Sequence, residues 1–338
     1  MSVEKVKKKL GEFPRFPLIA TPTPLMSLEN LSKDLGVQLF MKRDDLTSLA
    51  VGGNKARKLE FLLGEALEKG ADTVFTAGWY HSNHALLTAA AAGKANLDAV
   101  LFLKGKKPSY RGSLFLDALT GAEVRIFDVP DSSFLATYMK EAASILRTQG
   151  KKPYIIPVGG SNSVGSLGYV AGAIELAEQL RALDMIPDYV VIPTSSGGTH
   201  AGVLCGLREA LPETKVLGIG VGDDPEELQK KVFDISQDLS KILDLGPWNE
   251  KDLQEGFCFD YGFGPYGTLD ASVMKFIRKI GGREGFFLDP VYTAKAFYGL
   301  VDLVEKKVIP QGAKIVFIHT GGLSSLFQYE EEILEMLR

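Results

Sequence analysis

The sequence predicts an α/β protein with two lobes, each built on a mainly parallel sheet that is covered by helices. Short apolar runs alternate along the chain with segments of helical periodicity, which is the pattern of consecutive βαβ units. The chain has 338 residues, 45% of them hydrophobic, so it is long enough for two lobes. Glycine and polar residues follow several apolar runs, as expected where sites form at the carboxyl ends of parallel strands.

The apolar runs predicted to be strands fall into two groups. They are residues 73–77, 99–103, 123–127, 154–157, 189–193, 216–220 and 314–319. The first four, joined by helices, predict a smaller domain over residues 55–167. The N-terminal arm and the later strands predict a larger domain from residues 1–54 plus 168–338. No linker rich in proline, glycine and serine divides the chain, so the limits of the two domains are inferred. We expect the site in the cleft between these domains.

The first helix predicted in the smaller domain begins near Lys55. Apolar residues recur at helical spacing over 59–67, before Gly70, which suits the position after a helix end. The run Gly52-Gly53-Asn54 delivers Lys55 to the helix start, where a lysine can be a covalent nucleophile. Most lysines are solvated surface charges, so this run by itself leaves both roles open.

A second helix is predicted over residues 85–92, which are so rich in alanine that the helix should pack closely against a sheet. Its start, Ser82-Asn83-His84, comes directly after the strand predicted over 73–77 and a short turn. Because sites form at the carboxyl ends of parallel strands, we place Ser82 and Asn83 in the site.

A turn rich in glycine and hydroxyl groups, Ser195-Ser196-Gly197-Gly198-Thr199, follows the strand predicted over 189–193. Its glycines let backbone N–H groups approach an anion, and its hydroxyls can donate further hydrogen bonds. The helix predicted over 201–211 would direct its positive end at a phosphate. No Gly-Lys-Ser/Thr closes the turn, which excludes a Walker motif, although a purely structural turn stays open.

Composition argues against several classes of partner. The formal net charge of -4 gives no basic footprint, so nucleic acid is not expected. No apolar segment is long enough to span a membrane and no secretory leader is recognisable, which predicts a cytoplasmic protein. Cys205 and Cys258 lie far apart and the histidines lack HExxH spacing, so we expect neither a disulfide framework nor a metal site.

Several ordered motifs resemble one enzyme family along nearly the whole chain. They are Thr21-Pro22-Thr23-Pro24-Leu25, Lys42-Arg43-Asp44-Asp45-Leu46, Gly52-Gly53-Asn54-Lys55, Ser82-Asn83-His84, Ser196-Gly197-Gly198-Thr199, Gly264-Pro265-Tyr266-Gly267, Leu288-Asp289-Pro290-Val291-Tyr292-Thr293 and Ile318-His319-Thr320-Gly321-Gly322. The sequence resembles the fold-type II, tryptophan-synthase-like enzymes of pyridoxal phosphate. Within them it resembles the D-cysteine desulfhydrase and 1-aminocyclopropane-1-carboxylate deaminase group, whose cofactor is pyridoxal 5'-phosphate.

The resemblance implies a role for each motif. Lys55, preceded by Asn54, would bind the cofactor covalently and move the α-proton of the substrate, which requires a neutral amine. Asn83 would donate to the phenolic oxygen of the cofactor. Ser82 would meet the substrate carboxylate or act as base or nucleophile, with His84 beside it. The turn from Ser195 to Thr199 would hold the phosphate.

Two tyrosines near the end of the chain are implied to lie at the reacting atoms. Tyr292 would lie near or over the pyridine ring, and Tyr266 would reach the substrate side. On spacing alone, both tyrosines are also consistent with core packing. Their Pro-Tyr-Gly and Pro-Val-Tyr-Thr contexts favour the functional interpretation.

Thr320 bears on the reaction type. If it faces the ring nitrogen, as the resemblance implies, the pyridine there meets a neutral hydroxyl and need not be protonated. The deaminases of the group have a glutamate and a leucine at the positions of Thr293 and Thr320. The sequence therefore favours the desulfhydrase branch.

His81 departs from the family pattern, because relatives commonly have glutamine before the Ser-Asn-His turn. Bulky residues, Trp79 and Tyr80, precede it. His81 could be a substitute donor, or it could pair with an anionic substrate such as a β-sulfonate.

These patterns predict a cytoplasmic, dimeric pyridoxal-phosphate lyase that acts on a small amino acid, with D-cysteine as the first choice of substrate. L-Cysteate sulfo-lyase and cyclopropane-ring deaminase are alternatives with similar chemistry. A non-catalytic cofactor-binding regulatory protein would need neither Ser82 nor the two tyrosines. A nicotinamide dehydrogenase is disfavoured because no full dinucleotide fingerprint follows the first strand.

Overall fold

The strands form two separate sheets in the computed structural model, which describes residues 3–106, 109–130, 133–221, 224–249, 253 and 256–338. A six-stranded sheet contains β1 (Leu25–Ser27), β2 (Gln38–Lys42), β7 (Tyr189–Thr194), β8 (Lys215–Gly220), β9 (Phe257–Cys258) and β10 (Lys314–Ile318). A four-stranded sheet contains β3 (Thr73–Trp79), β4 (Asp98–Lys104), β5 (Glu123–Phe127) and β6 (Pro153–Ile155). The orders are β1-β2-β10-β7-β8-β9 and β5-β4-β3-β6.

The α/β prediction is confirmed, because every strand pair except β1 with β2 is parallel. Each predicted strand has a counterpart within about two residues of its bounds. The strands β1, β2 and β9 were not predicted. β1 and β9 are only three and two residues long, too short to give a period. β2 has polar ends, and its pairing with β10 comes from distant sequence.

Helices cover both sheets. Their bounds are α1 (Val3–Leu10), α2 (Glu29–Leu35), α3 (Lys55–Glu68), α4 (Asn83–Lys94), α5 (Gly112–Leu119), α6 (Ser133–Thr148), α7 (Ser163–Ala182), α8 (Gly198–Ala210), α9 (Pro225–Ile242), α10 (Ala271–Glu284), α11 (Thr293–Glu305), α12 (Ser324–Gln328) and α13 (Glu330–Leu337). Short 3₁₀ turns span Asp44–Leu46 and Val158–Gly160. Within the described part of the chain, no helix is both long and apolar enough to cross a bilayer.

The ends of three helices place the residues of the site. Gly70 has φ +67 just after α3, as predicted for the position beyond a helix end. Ser82 caps α4 by accepting a hydrogen bond from Ala85 N at 3.2 Å. α8 begins at Gly198, earlier than the predicted residue 201, so the glycine turn leads directly into its first turn.

A buried network of charges ties the start of α3 to its surroundings. The Arg57 guanidinium bonds Asp44 at 2.8 Å and Glu175 of α7 at 2.9 Å. Lys42, at the end of β2, pairs with the same Glu175. Since Arg57 and Asp44 are nearly inaccessible, neither charge could stay buried alone. The network therefore fixes the direction in which α3 leaves the glycine run before Lys55.

The strands of the four-stranded sheet all lie between residues 73 and 155, inside the segment predicted as the smaller domain. The network around Arg57 crosses the predicted boundary at residue 55, and α3 packs against α7 beyond the boundary at 168. The domain limits themselves stay a prediction.

Candidate active site

A cavity of about 560 Å³ lies at the carboxyl ends of strands from both sheets. Trp79 and Lys104 end β3 and β4, Thr194 ends β7, and Thr320 follows β10. Residues proposed from the sequence that line it are Asn54, Lys55, Ser82, Asn83, His84, Ser195, Ser196, Gly197, Thr199, Tyr266, Tyr292 and Thr320. The fold thus brings together residues from six separate segments of the sequence.

Lys55 is the first residue of α3 and faces the cavity. Burial lowers the pKa of its amine to about 8, and the opposing charge of Asp289 limits the shift. A substantial fraction of the amine is therefore neutral near physiological pH. Asn54 connects Lys55 to two other parts of the site, because its backbone N–H donates to Thr320 O (3.0 Å) and its Nδ2 donates to Thr199 Oγ1 (2.9 Å).

The turn from Ser195 to Thr199 has the geometry expected of an anion site. Gly197 has φ +83, a conformation that favours glycine, and it stands immediately before the N-terminus of α8. The hydroxyl of Ser196 accepts from Ser161 Oγ at 2.8 Å, which fixes one wall of the turn. Gly198 does not line the cavity itself, and its N–H, the first of the helix, donates to Ser161 Oγ at 3.3 Å.

Lys58 is a functional candidate that the sequence prediction missed. It is completely buried next to this turn, where its Nζ donates to Gly159 O at 3.1 Å and Ser161 Oγ at 3.0 Å. A Cβ on Gly198 would lie 2.8 Å from the same Nζ. Burial and the nearby Lys55 lower the pKa of Lys58 well below its usual range. An anion in the turn would offset that cost, so the site fits a phosphate.

The Ser82-Asn83-His84 segment is held by hydrogen bonds that orient its side chains. Asn83 Oδ1 accepts from Ser324 Oγ at 3.0 Å, which leaves the Nδ2 group as the donor. The His84 ring bonds Thr76 Oγ1 at 2.8 Å, and burial lowers the pKa of His84 well below its usual range. Ser324 was also missed, and nothing in the sequence pattern connects it with residue 83.

Tyr266 and Tyr292 meet at the cavity wall. Their rings lie 5.8 Å apart at 62°, and their hydroxyl groups are hydrogen-bonded to each other. The Tyr292 backbone N–H donates to Asp289 Oδ2 at 2.9 Å. Asp289 is buried, and burial raises the pKa of its carboxyl although several hydrogen bonds oppose the rise. Asp289 thus positions Tyr292, a function that the sequence prediction did not assign.

The two threonines that bear on the reaction type occupy different environments. Thr320 lines the cavity, whereas Thr293 is fully buried and its Oγ1 donates to Asp289 Oδ1 at 2.7 Å. Among the described residues that line the cavity, Glu227 is the one carboxylate. It pairs with Lys231 of the same helix at 2.8 Å. A direct contact between Thr293 and a cavity ligand is not part of this arrangement.

His81 is placed differently from the other proposed site residues. It lies outside the cavity lining, 3% exposed, behind Trp79 and Tyr266. Its ring stacks on Trp79 and on Tyr266, each at 5.8 Å. Burial lowers the pKa of His81 to about 4, so the ring is neutral at physiological pH. Its predicted contact with a substrate stays a prediction, and its position favours an indirect role.

No three His, Cys, Asp or Glu side chains within the described ranges are arranged to hold a metal ion. A buried lysine beside a glycine-rich turn at a helix N-terminus fits an organic cofactor that carries an aldehyde and a phosphate. Residues 17–321 match the family model described as "Pyridoxal-phosphate dependent enzyme". The chain therefore belongs to the family of pyridoxal-phosphate-dependent enzymes.

Similar proteins narrow the assignment. One from Pyrococcus abyssi, named provisionally as a 1-aminocyclopropane-1-carboxylate deaminase, is 47% identical over 98% of this chain and 99% of its own. The D-cysteine desulfhydrase of Klebsiella pneumoniae is 40% identical over 96% and 99%. The crystal structure of an "ACC deaminase homologue" matches with TM-score 0.92 and 44% identity, over 98% and 99%. The protein is a pyridoxal-phosphate-dependent lyase of the group that contains these two enzymes.

The fold is that of a wider set of enzymes. Threonine deaminase isoform 2 from Solanum lycopersicum matches with TM-score 0.67 and 19% identity, over 99% of this chain and 88% of that chain. The prediction of a fold-type II architecture is confirmed. At this identity the likeness concerns the fold alone.

Proposed function

We propose that this protein eliminates the β-substituent of a small amino acid and that D-cysteine is its preferred substrate. The products would be pyruvate, hydrogen sulfide and ammonia. The observation that carries the proposal is the position of Thr320, which lines the cavity and whose backbone oxygen accepts a hydrogen bond from the Asn54 N–H. Thr320 would face the ring nitrogen of the bound cofactor, where a hydroxyl can donate without fixing a proton.

The nature of that ring contact separates the two reactions. Bound pyridoxal phosphate supplies an electron sink for the electrons left when the α-proton is removed. Opening a cyclopropane ring demands a stronger sink than expelling a thiol, and a carboxylate at the ring nitrogen would strengthen it. Glu227, the one carboxylate among the described lining residues, is paired with Lys231 on α9. The arrangement therefore supports β-elimination.

Lys55 would hold the cofactor and take part in moving the α-proton. An amine with a pKa of about 8 can serve as a nucleophile and can also accept a proton near neutral pH. Ser82, at the N-terminus of α4, would meet the substrate carboxylate and is the other candidate base. In the reaction the Cα–H and Cβ–S bonds break, and water then replaces the nitrogen to release ammonia and pyruvate.

The remaining side chains would orient the two ligands. Asn83, whose oxygen is occupied by Ser324, would donate its Nδ2 group to the phenolic oxygen of the cofactor. The hydroxyl pair of Tyr266 and Tyr292 would lie on the substrate side of the ring. The Ser195 to Thr199 turn, with Lys58 behind it, would hold the phosphate.

A substrate panel tests the proposal. D-cysteine, L-cysteine, L-cysteate and 1-aminocyclopropane-1-carboxylate would be assayed for pyruvate, sulfide, sulfite and 2-oxobutyrate. We expect the highest kcat/KM with D-cysteine and little 2-oxobutyrate. Thr320→Val should lower turnover of D-cysteine, whereas Thr293→Ser, which keeps the hydroxyl bonded to Asp289, should change it little. A larger kcat/KM for the cyclopropane substrate than for every β-substituted one would reject the proposal.

Two alternatives are favoured by specific observations. The 47% identity to a relative named provisionally as a cyclopropane deaminase favours ring opening. The presence of Lys104 and Lys231 in the cavity lining favours an anionic substrate, for which L-cysteate would release sulfite. If no substrate is turned over while the cofactor is bound, a non-catalytic regulatory function would replace all three enzymatic activities.

We also propose that the protein is a homodimer in the cytoplasm. Large apolar side chains are exposed on neighbouring helices, namely Phe115 and Leu119 on α5 and Phe327 on α12. Both cysteines are free thiols, which suits a reducing compartment. Light scattering measures the mass directly: a dimer is expected, and Leu119→Lys should shift the population towards monomer if this face is the interface.

A further inference from the structure

Trp79 lies at the boundary between the two sheets and has no role in the function proposed so far. It ends β3, lines the cavity and is partly exposed there. Its indole ring is 5.7 Å from the ring of Tyr266 and 5.8 Å from that of His81, and the Lys104 ammonium lies 4.7 Å from its centroid. We call Trp79, His81 and Tyr266 the aromatic clamp.

Tyr266 lies in a segment without regular secondary structure. Residues 261–268 form neither helix nor strand. Phe263, Gly264 and Gly267 have φ of +55, +98 and +82, so the backbone on either side of Tyr266 is irregular. A side chain on such a segment is fixed mainly by what it touches. Two of the rings that contact Tyr266 belong to the clamp residues Trp79 and His81.

The aromatic clamp crosses the cleft between the sheets. Trp79 is the last residue of β3 in the four-stranded sheet, and His81 follows it two residues later. Tyr266 follows β9 of the six-stranded sheet. Tyr266 is also hydrogen-bonded to Tyr292 inside the cavity. A displacement of the Tyr266 ring would therefore also displace the hydroxyl group that is bonded to Tyr292.

We propose that Trp79 and His81 are positioning residues that hold Tyr266 across the cleft, so that its hydroxyl stays bonded to Tyr292 at the substrate side of the cavity. The effect on catalysis rests on the proposed function, but the contact itself does not. The rings act by packing, because His81 is neutral near pH 7. Offset and tilted aromatic contacts of this kind orient a ring without requiring a charge.

A double-mutant cycle tests whether Trp79 acts through Tyr266. The holoenzyme variants Trp79→Ala and Tyr266→Phe should each lower kcat by about 10- to 100-fold, since misplacing a reacting group by about 1 Å has an effect of that size. Trp79→Phe, which keeps an aromatic ring, should recover most of the loss. In the Tyr266→Phe background, the further substitution Trp79→Ala should lower kcat by less than about threefold. Independent, multiplicative losses would overturn the proposal.

A fluorescence measurement tests the contact without any substrate. The chain has two tryptophans, and Trp248 is buried elsewhere with the Arg208 guanidinium 4.0 Å from its ring. In the apoprotein of Trp248→Phe, the emission therefore reports Trp79. Tyr266→Ala should shift this emission to longer wavelength and raise acrylamide quenching at least about twofold, because an aromatic neighbour is lost. The matched control Tyr110→Ala removes a tyrosine that is 59% exposed and should leave the emission unchanged.

The outcomes of the two tests are distinguishable. If Trp248→Phe does not fold, the difference between Tyr266→Ala and Tyr110→Ala is measured in the protein with both tryptophans. Unchanged Trp79 emission in Tyr266→Ala would overturn the clamp, whatever the substrate proves to be. A changed emission together with no D-cysteine turnover would keep the clamp and reject the proposed function.

Discussion

We propose that the protonation of Lys55 sets the rate of covalent cofactor uptake. Only the neutral amine attacks the aldehyde, and the pKa of Lys55 is lowered to about 8 by burial. Below pH 8 the uptake rate of the apoprotein should fall about tenfold per pH unit, and above pH 8 it should level off. Stopped-flow absorbance from pH 6.5 to 9.5 measures this. A rate still rising at pH 10 would mean that the amine has an ordinary pKa.

Lys58 provides an internal comparison for the covalent bond, because it is buried on the same helix three residues later. Borohydride reduction of the holoenzyme followed by peptide mapping should label Lys55. Lys58→Ala should retain that label but release the cofactor more readily, since it removes an amine next to the Ser195 to Thr199 turn whose charged form a bound phosphate would favour. Lys55→Ala should lose the visible absorbance and turnover. A label on Lys58, or on any lysine other than Lys55, would refute the assignment.

The turn from Ser195 to Thr199 is the element in which an added side chain should weaken cofactor binding beyond the effect of backbone strain. Gly197→Val forces a β-branched residue to φ +83 and puts a Cβ 3.1 Å from Val232 Cγ2. We expect the dissociation constant of pyridoxal phosphate to rise at least about tenfold. Gly150→Val is the matched control, because Gly150 has φ +82 and no atom within 4 Å of an added Cβ. It should lower the melting temperature but leave cofactor affinity unchanged; equal losses of affinity would make the turn merely structural.

The crossing of α3 and α7 depends on the absence of a side chain at Gly168. A Cβ there would lie 2.1 Å from Arg57 O, in the helix that begins with Lys55. Gly168→Ala should therefore reduce the free energy of unfolding by about 1–3 kcal/mol or more and displace α3. Gly93→Ala, at a helical glycine with open space around it, should stabilise the protein by up to about 1 kcal/mol. Urea unfolding of both variants distinguishes packing from helix propensity, and equal effects would contradict the close contact.

The free energy of unfolding at acid pH depends on contacts that span the molecule, because the Asp44 network joins β2, α3 and α7. Burial alone would raise the pKa of Asp44, but the Arg57 guanidinium outweighs it and holds the pKa at about 2. The folded-state pKa is below the ordinary 3.8, so this stabilisation is present above pH 4 and disappears as the pH falls towards 2. A shift of this size is worth about 2–3 kcal/mol.

Asp44→Asn should therefore be less stable than the wild type at pH 6 and should lose less free energy of unfolding between pH 5 and pH 2. Asp34→Asn is the control, because Asp34 pairs with Arg283 at 3.0 Å on the surface, where ion pairs contribute little. Urea unfolding at several pH values measures both. The same acid dependence in Asp44→Asn and in the wild type would exclude Asp44 as its source.

The network also bears on the two predicted domains, 1–54 plus 168–338 and 55–167. We propose these limits for the two structural units, with the cavity between them. Since buried ion pairs cross the boundary at residue 55, we expect the units to unfold together rather than independently.

The sequence alone determined the fold class, the seven strands with a readable pattern and half of the residues that line the cavity. Apolar period and turn chemistry are local, so a window of about ten residues is enough to read them. The Lys55 and Ser195 to Thr199 segments carry their signals in adjacent residues for the same reason. β1 and β9 gave no pattern because they are too short.

Only the tertiary structure decided which distant groups support those segments. Ser324 orients Asn83, Asp289 positions Tyr292, and Lys58 lies behind the turn from Ser195 to Thr199. It also showed that the His81 ring stacks on Trp79 and Tyr266. Each of these contacts joins different elements, and their distances depend on how the two sheets and their helices pack. Local periodicity contains no information about that packing, which is why these residues could not be assigned from the sequence.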